Sequence, residues 1–129
     1  MEFKLSISLK ASATKVYKTW LNSKGHTDMT GSKADINDQL GSKFTAWDGY
    51  IHGENLELET NKRIVQTWRT SEFKTNQEDS LLEIEFIEID KNSCKIILQH
   101  SNLEDKDSNY IKGWKDHYFE PMKKYFAGK

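Results

Sequence analysis

Between residues 2 and 10 apolar and polar side chains alternate, with Phe3, Leu5, Ile7 and Leu9 set against Glu2, Lys4, Ser6, Ser8 and Lys10. A period of two predicts a strand with one buried and one wet face, as in an antiparallel sheet. The period changes after Ser12, which is suited to cap a helix, and Val16, Tyr17, Trp20 and Leu21 follow at helical spacing. Gly25 interrupts that pattern, so residues 23–30 are expected to add one or two turns at most.

Residues 33–100 predict a run of strands. Segments 43–47 and 50–59 flank Asp48-Gly49, a dipeptide suited to a two-residue hairpin turn because both turn residues need positive φ. Asn61-Lys62 marks a turn before a strand over residues 63–70. On that strand Ile64/Trp68 and Val65/Thr67 compete for the inner face. Residues 74–80 are polar and predict a loop. Segments 80–90 and 93–100 flank Lys91-Asn92 as a further hairpin. In the first of these, Leu82, Ile84 and Phe86 share a face, but Ile87 and Ile89 do not, which predicts a bulge near Phe86-Ile87. With the first strand, the sheet is expected to hold about seven strands.

The last element is a long helix over residues 105–127. Its first turn carries Asp105 and Asp107 and its last turn Lys123 and Lys124, as the helix dipole favours. Its apolar stripe runs through Tyr110/Ile111, Trp114, Tyr118, Met122 and Tyr125/Phe126. At 1.5 Å per residue the helix is ~34 Å long, enough to cross a whole sheet. Pro121 cannot donate to the carbonyl of His117, so a bend is expected there. The order of elements defines an α+β class: a curved antiparallel sheet, short helices after the first strand, and a long C-terminal helix across it.

Composition narrows the function. The chain has 129 residues, 19 basic and 20 acidic, with six Phe, five Tyr and four Trp to build a core. One domain spanning residues 1–129 is expected. No apolar run exceeds a triplet such as Ile96-Ile97-Leu98, so no membrane span is expected, and the N-terminus lacks an export signal. A cytoplasmic location follows as the default. Acids and bases balance without a basic stripe, which argues against nucleic acid. The one cysteine, Cys94, lies in a strand pattern that reads as buried, and no metal or other cofactor is expected.

Catalytic patterns are sparse. His52 and Glu54 share a strand face, a geometry suited to acid–base work, but the hairpin around Gly53 accounts for them equally well. His26 and Asp28 lie in a loop-like stretch and are a weaker pair, and His100 and His117 have no second ligand at metal spacing. A stronger candidate is the space under the long helix. One helix rarely fills the concavity of a twisted sheet, and a gap there is lined by Phe44, Leu56, Leu58, Leu82, Ile84, Phe86, Ile96, Leu98, Trp114, Tyr118 and Met122. Apolar clefts of that kind take small hydrophobic ligands. Large aromatics filling the gap and leaving a dry core is the equal alternative.

The stretch Gly41-Ser42-Lys43-Phe44, Asp48-Gly49, Gly53-Glu54, Arg63-Ile64-Val65 and Thr67-Trp68-Arg69, with the C-terminal Tyr110, Gly113-Trp114, Tyr118-Phe119-Glu120 and Phe126, resembles a known family. It is that of the activators of the heat-shock protein 90 ATPase, in particular the C-terminal domain of the eukaryotic members. Ser42 stands where the family usually has a second glycine. The resemblance implies the helix-grip fold of the START and Bet v 1-like (SRPBCC) superfamily and brings no catalytic residues. It also implies that Gly113 lets the helix approach the sheet and that Trp114 fills the cleft. The function it implies is non-enzymatic: binding of a hydrophobic small molecule or partner segment in the cleft, or of heat-shock protein 90 as a co-chaperone. A small acid–base enzyme using His52, Glu54 or His100 is the third reading.

Overall fold

A computed structural model describes residues 1–128 of the chain. Strand β1 (Phe3–Leu9) is followed by helices α1 (Ala13–Trp20) and α2 (Ser23–Thr30), then by β2 (Lys43–Ala46), β3 (Ile51–Glu59), β4 (Arg63–Thr70), β5 (Ser80–Asp90) and β6 (Ser93–Ser101). A continuous helical run closes the chain. It comprises a 3₁₀ turn (Asp105–Ser108), α3 (Asn109–Trp114), a π turn (Lys115–Phe119) and α4 (Glu120–Ala127). The strands form one antiparallel sheet in the order β1-β6-β5-β4-β3-β2, so β1 returns beside the last strand and the rest is a meander. This is the α+β helix-grip architecture.

The sheet has six strands, not seven. Residues 33–42 contribute one isolated bridge, Asp35 to Thr45, and then leave the sheet. The buried amide of Asn55 explains why: its Nδ2 donates to the carbonyls of Asn37 and Gln39, which a ladder would otherwise have to satisfy. Gln66 in turn donates to Asn55 Oδ1 at 2.9 Å, which fixes that amide in place.

Register decides the faces. On β4, Ile64 and Trp68 join the core, and with them Gln66 and Thr70. On β5 the parity of Leu82, Ile84 and Phe86 runs on without a break, so Ile87 and Ile89 stay on the outer face at 42% and 56% exposure. The irregularity expected at Phe86-Ile87 falls instead between Glu88 and Asp90. A bulge that the pattern did not announce lies in β3, where the register shifts between Asn55 and Glu57. The extra residue is Leu56, 43% exposed, and Leu58 beyond it is half-buried.

The helices follow local rules. Ser12 Oγ accepts from the backbone N–H of Lys15 to cap α1, and Asn22 Oδ1 accepts from Gly25 to cap α2. Gly25 lies inside α2, where a Cβ would sit 2.9 Å from the carbonyl oxygen of Thr19 across the α1–α2 corner. The core lies between the inner sheet face and the helices. It is built from Ile64, Ile84, Ile96 and Leu98 on one side and Val16, Trp20, Met122 and Phe126 on the other.

Gly53 is the tightest backbone contact in the sheet. A Cβ there would fall 1.9 Å from the carbonyl oxygen of Thr67 and 2.8 Å from Phe44 Cε1. Gly53→Ala therefore forces β3 and β4 apart, and urea denaturation should show a loss of about 3 kcal/mol.

Candidate functional site

The connection from β2 to β3 places the first wall of a pocket. A two-residue turn at Asp48-Gly49 was expected, but the strands close at Ala46 and Ile51, leaving four residues between them. Trp47, Asp48 and Gly49 all have positive φ (54°, 56° and 88°), and Tyr50 N–H donates to the Trp47 carbonyl. Non-glycine residues in this region cost about 1 kcal/mol or more each. The result is that Trp47 faces the helical run, its ring 5.4 Å from that of His117 and 6.4 Å from that of Tyr118. Its indole nitrogen is covered and makes no hydrogen bond of normal geometry, but it acts on the Tyr118 hydroxyl, whose pKa it lowers against the larger effect of burial.

Opposite this loop, α3 and the π turn supply Tyr110, Trp114 and Tyr118. With Trp47, Tyr50 and Ile51 they enclose a pocket of about 440 Å³. Exposed Asn109, Lys112, Asp116 and His117 form its rim, and Lys112 pairs with Asp116 across one helical turn. Gly113 also lines it. No atom lies within 4 Å of where its Cβ would be, so the expectation that this glycine serves close packing on the sheet does not hold. Its missing side chain is part of the empty space.

Behind the wall the side-chain hydrogens of Trp114, Tyr118 and Tyr110 have partners, whereas the buried indole nitrogen of Trp20 has none. Trp114 Nε1–H donates to His100 Nδ1 at 3.0 Å. An indole N–H is a donor only, so His100 Nδ1 must be the acceptor and Nε2 must carry the proton. That proton faces Ser80 Oγ at 2.8 Å, and Ser80 Oγ donates to the Trp68 carbonyl at 2.6 Å. His26 has the opposite tautomer. Its Nδ1 lies 2.9 Å from the carbonyl of Trp20 and must donate, so Nε2 accepts from the Tyr118 hydroxyl at 2.9 Å. The Tyr110 hydroxyl pairs with Thr70 Oγ1, and that of Tyr50 donates to Glu72.

Both histidines are sealed from solvent. Burial holds the His100 imidazole down to about 3, against a smaller opposing effect of Asp107. It holds His26 at about 4, opposed by the bond to Trp20. Burial also pushes the Tyr118 hydroxyl up and the Cys94 thiol up to about 11, with Glu88 adding to the latter. The imidazoles and phenols behind the wall are thus neutral.

Of the eleven positions expected to line the cleft, Trp114 and Tyr118 border the pocket. Phe44, Leu82, Ile84, Phe86, Ile96, Leu98 and Met122 are packed into the core instead, because the aromatics over them leave no gap. Leu56 points outward because of the bulge in β3, and Leu58 is half-buried against the core rather than at the pocket. Trp47, Tyr50 and Ile51 were not expected at a site; an aromatic on each side of Asp48-Gly49 is the signal that marks the first two. The would-be acid–base set is not assembled, since His52 is exposed while His100 is fully buried. Among the described residues no three His, Cys, Asp or Glu side chains come together to hold a metal ion, and no helix is long and apolar enough to cross a membrane.

Sheet, gripping helix and a pocket at their open end define a START/Bet v 1-like protein. Ara h 8.0201 has this fold over 100% of this chain and 99% of its own, with a TM-score of 0.72 at 12% identity. The particular family is shown by sequence. Residues 10–127 match the family of Activator of Hsp90 ATPase homolog 1-like proteins, and the chain belongs to it. The human activator of 90 kDa heat shock protein ATPase homolog 1 is 30% identical over 100 residues, 76% of this chain but 29% of the human protein. An HSP90 activator from Plasmodium falciparum superposes with a TM-score of 0.82 at 22% identity, covering 93% of this chain and 91% of its own.

The two buried histidines link folding to pH. Their folded values lie below the ordinary 6.5, so between about pH 6.5 and pH 4 the unfolded chain binds protons that the folded one refuses. Stability is complete above pH 6.5 and falls as pH drops. Urea titrations should show a loss of about 3 kcal/mol from pH 7 to pH 5, and His100→Gln should remove about half of that dependence.

Proposed function

We propose that the chain is a non-enzymatic binding domain that receives an apolar group in the pocket between the β2–β3 connection and α3. The occupant is a small hydrophobic molecule or an apolar side chain from a partner segment. The observation that carries this reading is the empty volume at Gly113. Aromatic rings surround it on the inside, charged and polar residues on the rim, which is the usual make-up of a site for a hydrophobic ligand. Inside the wall no titratable group stands ready for proton transfer, since both histidines are committed to neutral hydrogen bonds.

Gly113→Leu separates this function from folding. A side chain there meets open space and a better helix former, so thermal unfolding should show a gain of about 0.5–1 kcal/mol. The same side chain fills the pocket. Titration with the fluorescent probe 1-anilinonaphthalene-8-sulfonate should give binding to the natural chain and at least about tenfold weaker binding to the variant. Equal dye binding by both removes the pocket as the site.

A second reading, binding and stimulation of heat-shock protein 90, is supported by the family and by the human relative. It places recognition on the surface, with exposed Lys123 and Lys124 on α4 as the charges to test. An amide NMR titration with the chaperone should broaden one contiguous surface. Replacing both lysines with Glu should weaken it, more so at low salt. No broadening at high chaperone excess excludes that partner.

A further inference from the structure

The pocket's two deepest aromatics share one feature. Each sends its single polar hydrogen backward, to a buried neutral imidazole on a different element: Trp114 to His100 of β6 and Tyr118 to His26 of α2. We infer that His100 and His26 are positioning residues of the pocket, which hold Trp114 and Tyr118 so that these two side chains present ring faces, and not their own hydrogen-bond donors, to the occupant. The inference rests on the reading that the pocket binds an apolar group.

The geometry gives each histidine one working arrangement. His100 is held at its far nitrogen by Ser80, which is itself committed to the Trp68 carbonyl, so the imidazole cannot turn without breaking that chain. Its ring also meets Trp68 edge-on at 4.5 Å and Trp114 at 5.9 Å. His26 is held by the Trp20 carbonyl and stands edge-on to the rings of Trp20 at 4.8 Å and Tyr118 at 5.5 Å. Trp114 and Tyr118 then pack against each other at 4.7 Å. Without these acceptors, an indole N–H and a phenol O–H buried under the pocket would have to turn toward its cavity to find water. The pocket would then present donors to an apolar occupant and would have to desolvate them on binding.

This chemistry selects the occupant by its buried end. A group carrying its own hydroxyl or amide finds no free partner on Trp114 or Tyr118, while an aromatic or branched aliphatic group loses nothing. Polar or charged parts belong at the rim, beside Asn109 and Lys112.

The test uses the full chain, 1-anilinonaphthalene-8-sulfonate as probe, and the indole N–H signal of Trp114 in NMR spectra. Tyr118→Phe keeps the ring but deletes the oxygen bound to His26, and so frees the ring from the tie that positions it. It should weaken dye binding about three- to tenfold, the effect of one buried hydrogen bond. His100→Leu should weaken it about tenfold and shift and deprotect the Trp114 indole proton. His100→Gln, whose amide can accept from Trp114 and donate to Ser80, should restore affinity to within about twofold. A merely structural role predicts lower stability in all three variants with unchanged dye affinity of the folded fraction, and that result overturns the inference. An unmoved indole signal in His100→Leu overturns it as well. If His100→Leu does not fold, Tyr118→Phe decides alone. A natural chain that binds no dye removes the binding reading and this inference together; a natural chain that binds while Tyr118→Phe and His100→Leu bind equally well removes the inference only.

Discussion

The hydrogen bond from the Trp114 indole to His100 is the contact on which the rest of the arrangement depends. It joins α3 to β6, and through Ser80 and the Trp68 carbonyl it continues into β5 and β4. A hydrophobic interface alone would let a helix slide along a sheet, because apolar contacts are non-directional. A buried chain of donors and acceptors does not permit that: shifted by one step, it leaves several groups unsatisfied at about 1–3 kcal/mol each. The Tyr118–His26 bond does the same between the helical run and α2. Two polar ties therefore set where the run sits, and Met122 and Phe126 fill the core beyond them.

That placement explains why one half of the helix–sheet interface is closed and the other open. Under α4 the inward residues are Met122 and Phe126, and both are closed off from solvent with Ile96 and Leu98 in the same core. Under α3 they are rigid rings in edge and tilted contacts, whose shapes cannot follow every contour of a curved sheet. Gly113 adds a further void, and the wall across it is a loop with three successive left-handed residues and an indole nitrogen that makes no hydrogen bond of normal geometry. The pocket lies where packing is least able to close. Conformational cost is concentrated in its outer wall, where a change of loop conformation disturbs the ladder least.

Strand alternation and helical spacing were enough to place the sheet, both short helices and the C-terminal run, because burial on one face leaves a period in the sequence. The same signals led astray where burial and register part company. At Leu56 an extra residue in β3 turns a good inward pattern outward. At Ile87 and Ile89 apolar residues occupy the wet face, which alternation alone reads as a shift. The seventh strand failed because a single buried amide, Asn55, satisfies the backbone of residues 37–39, and no period encodes that. The pocket was half legible: Trp114 and Tyr118 follow from the helical stripe, while Trp47 owes its place to positive φ in the loop. His26 and His100 carry no pattern at all, since their importance lies in partners 92 and 14 residues away.

The C-terminal stripe contains one further message. Tyr110, Trp114, Tyr118, Met122 and Phe126 are spaced by four, and all five are buried. In a straight α-helix a spacing of four advances about 40° per step, so five such residues would spread over about 160° and could not all face one sheet. The π turn at residues 115–119 offsets this by taking one more residue into a single turn, and the N–H of Glu120 reaches back to the carbonyl of Lys115. Pro121 follows at once, where the run returns to α spacing. The bond it cannot make to His117 falls at the one step whose register is already altered, which lets a proline sit inside a helical run with little added cost. The π turn is thus the device that keeps Trp114 and Tyr118 on the same face as Met122, and so keeps both polar ties and the pocket within one helix.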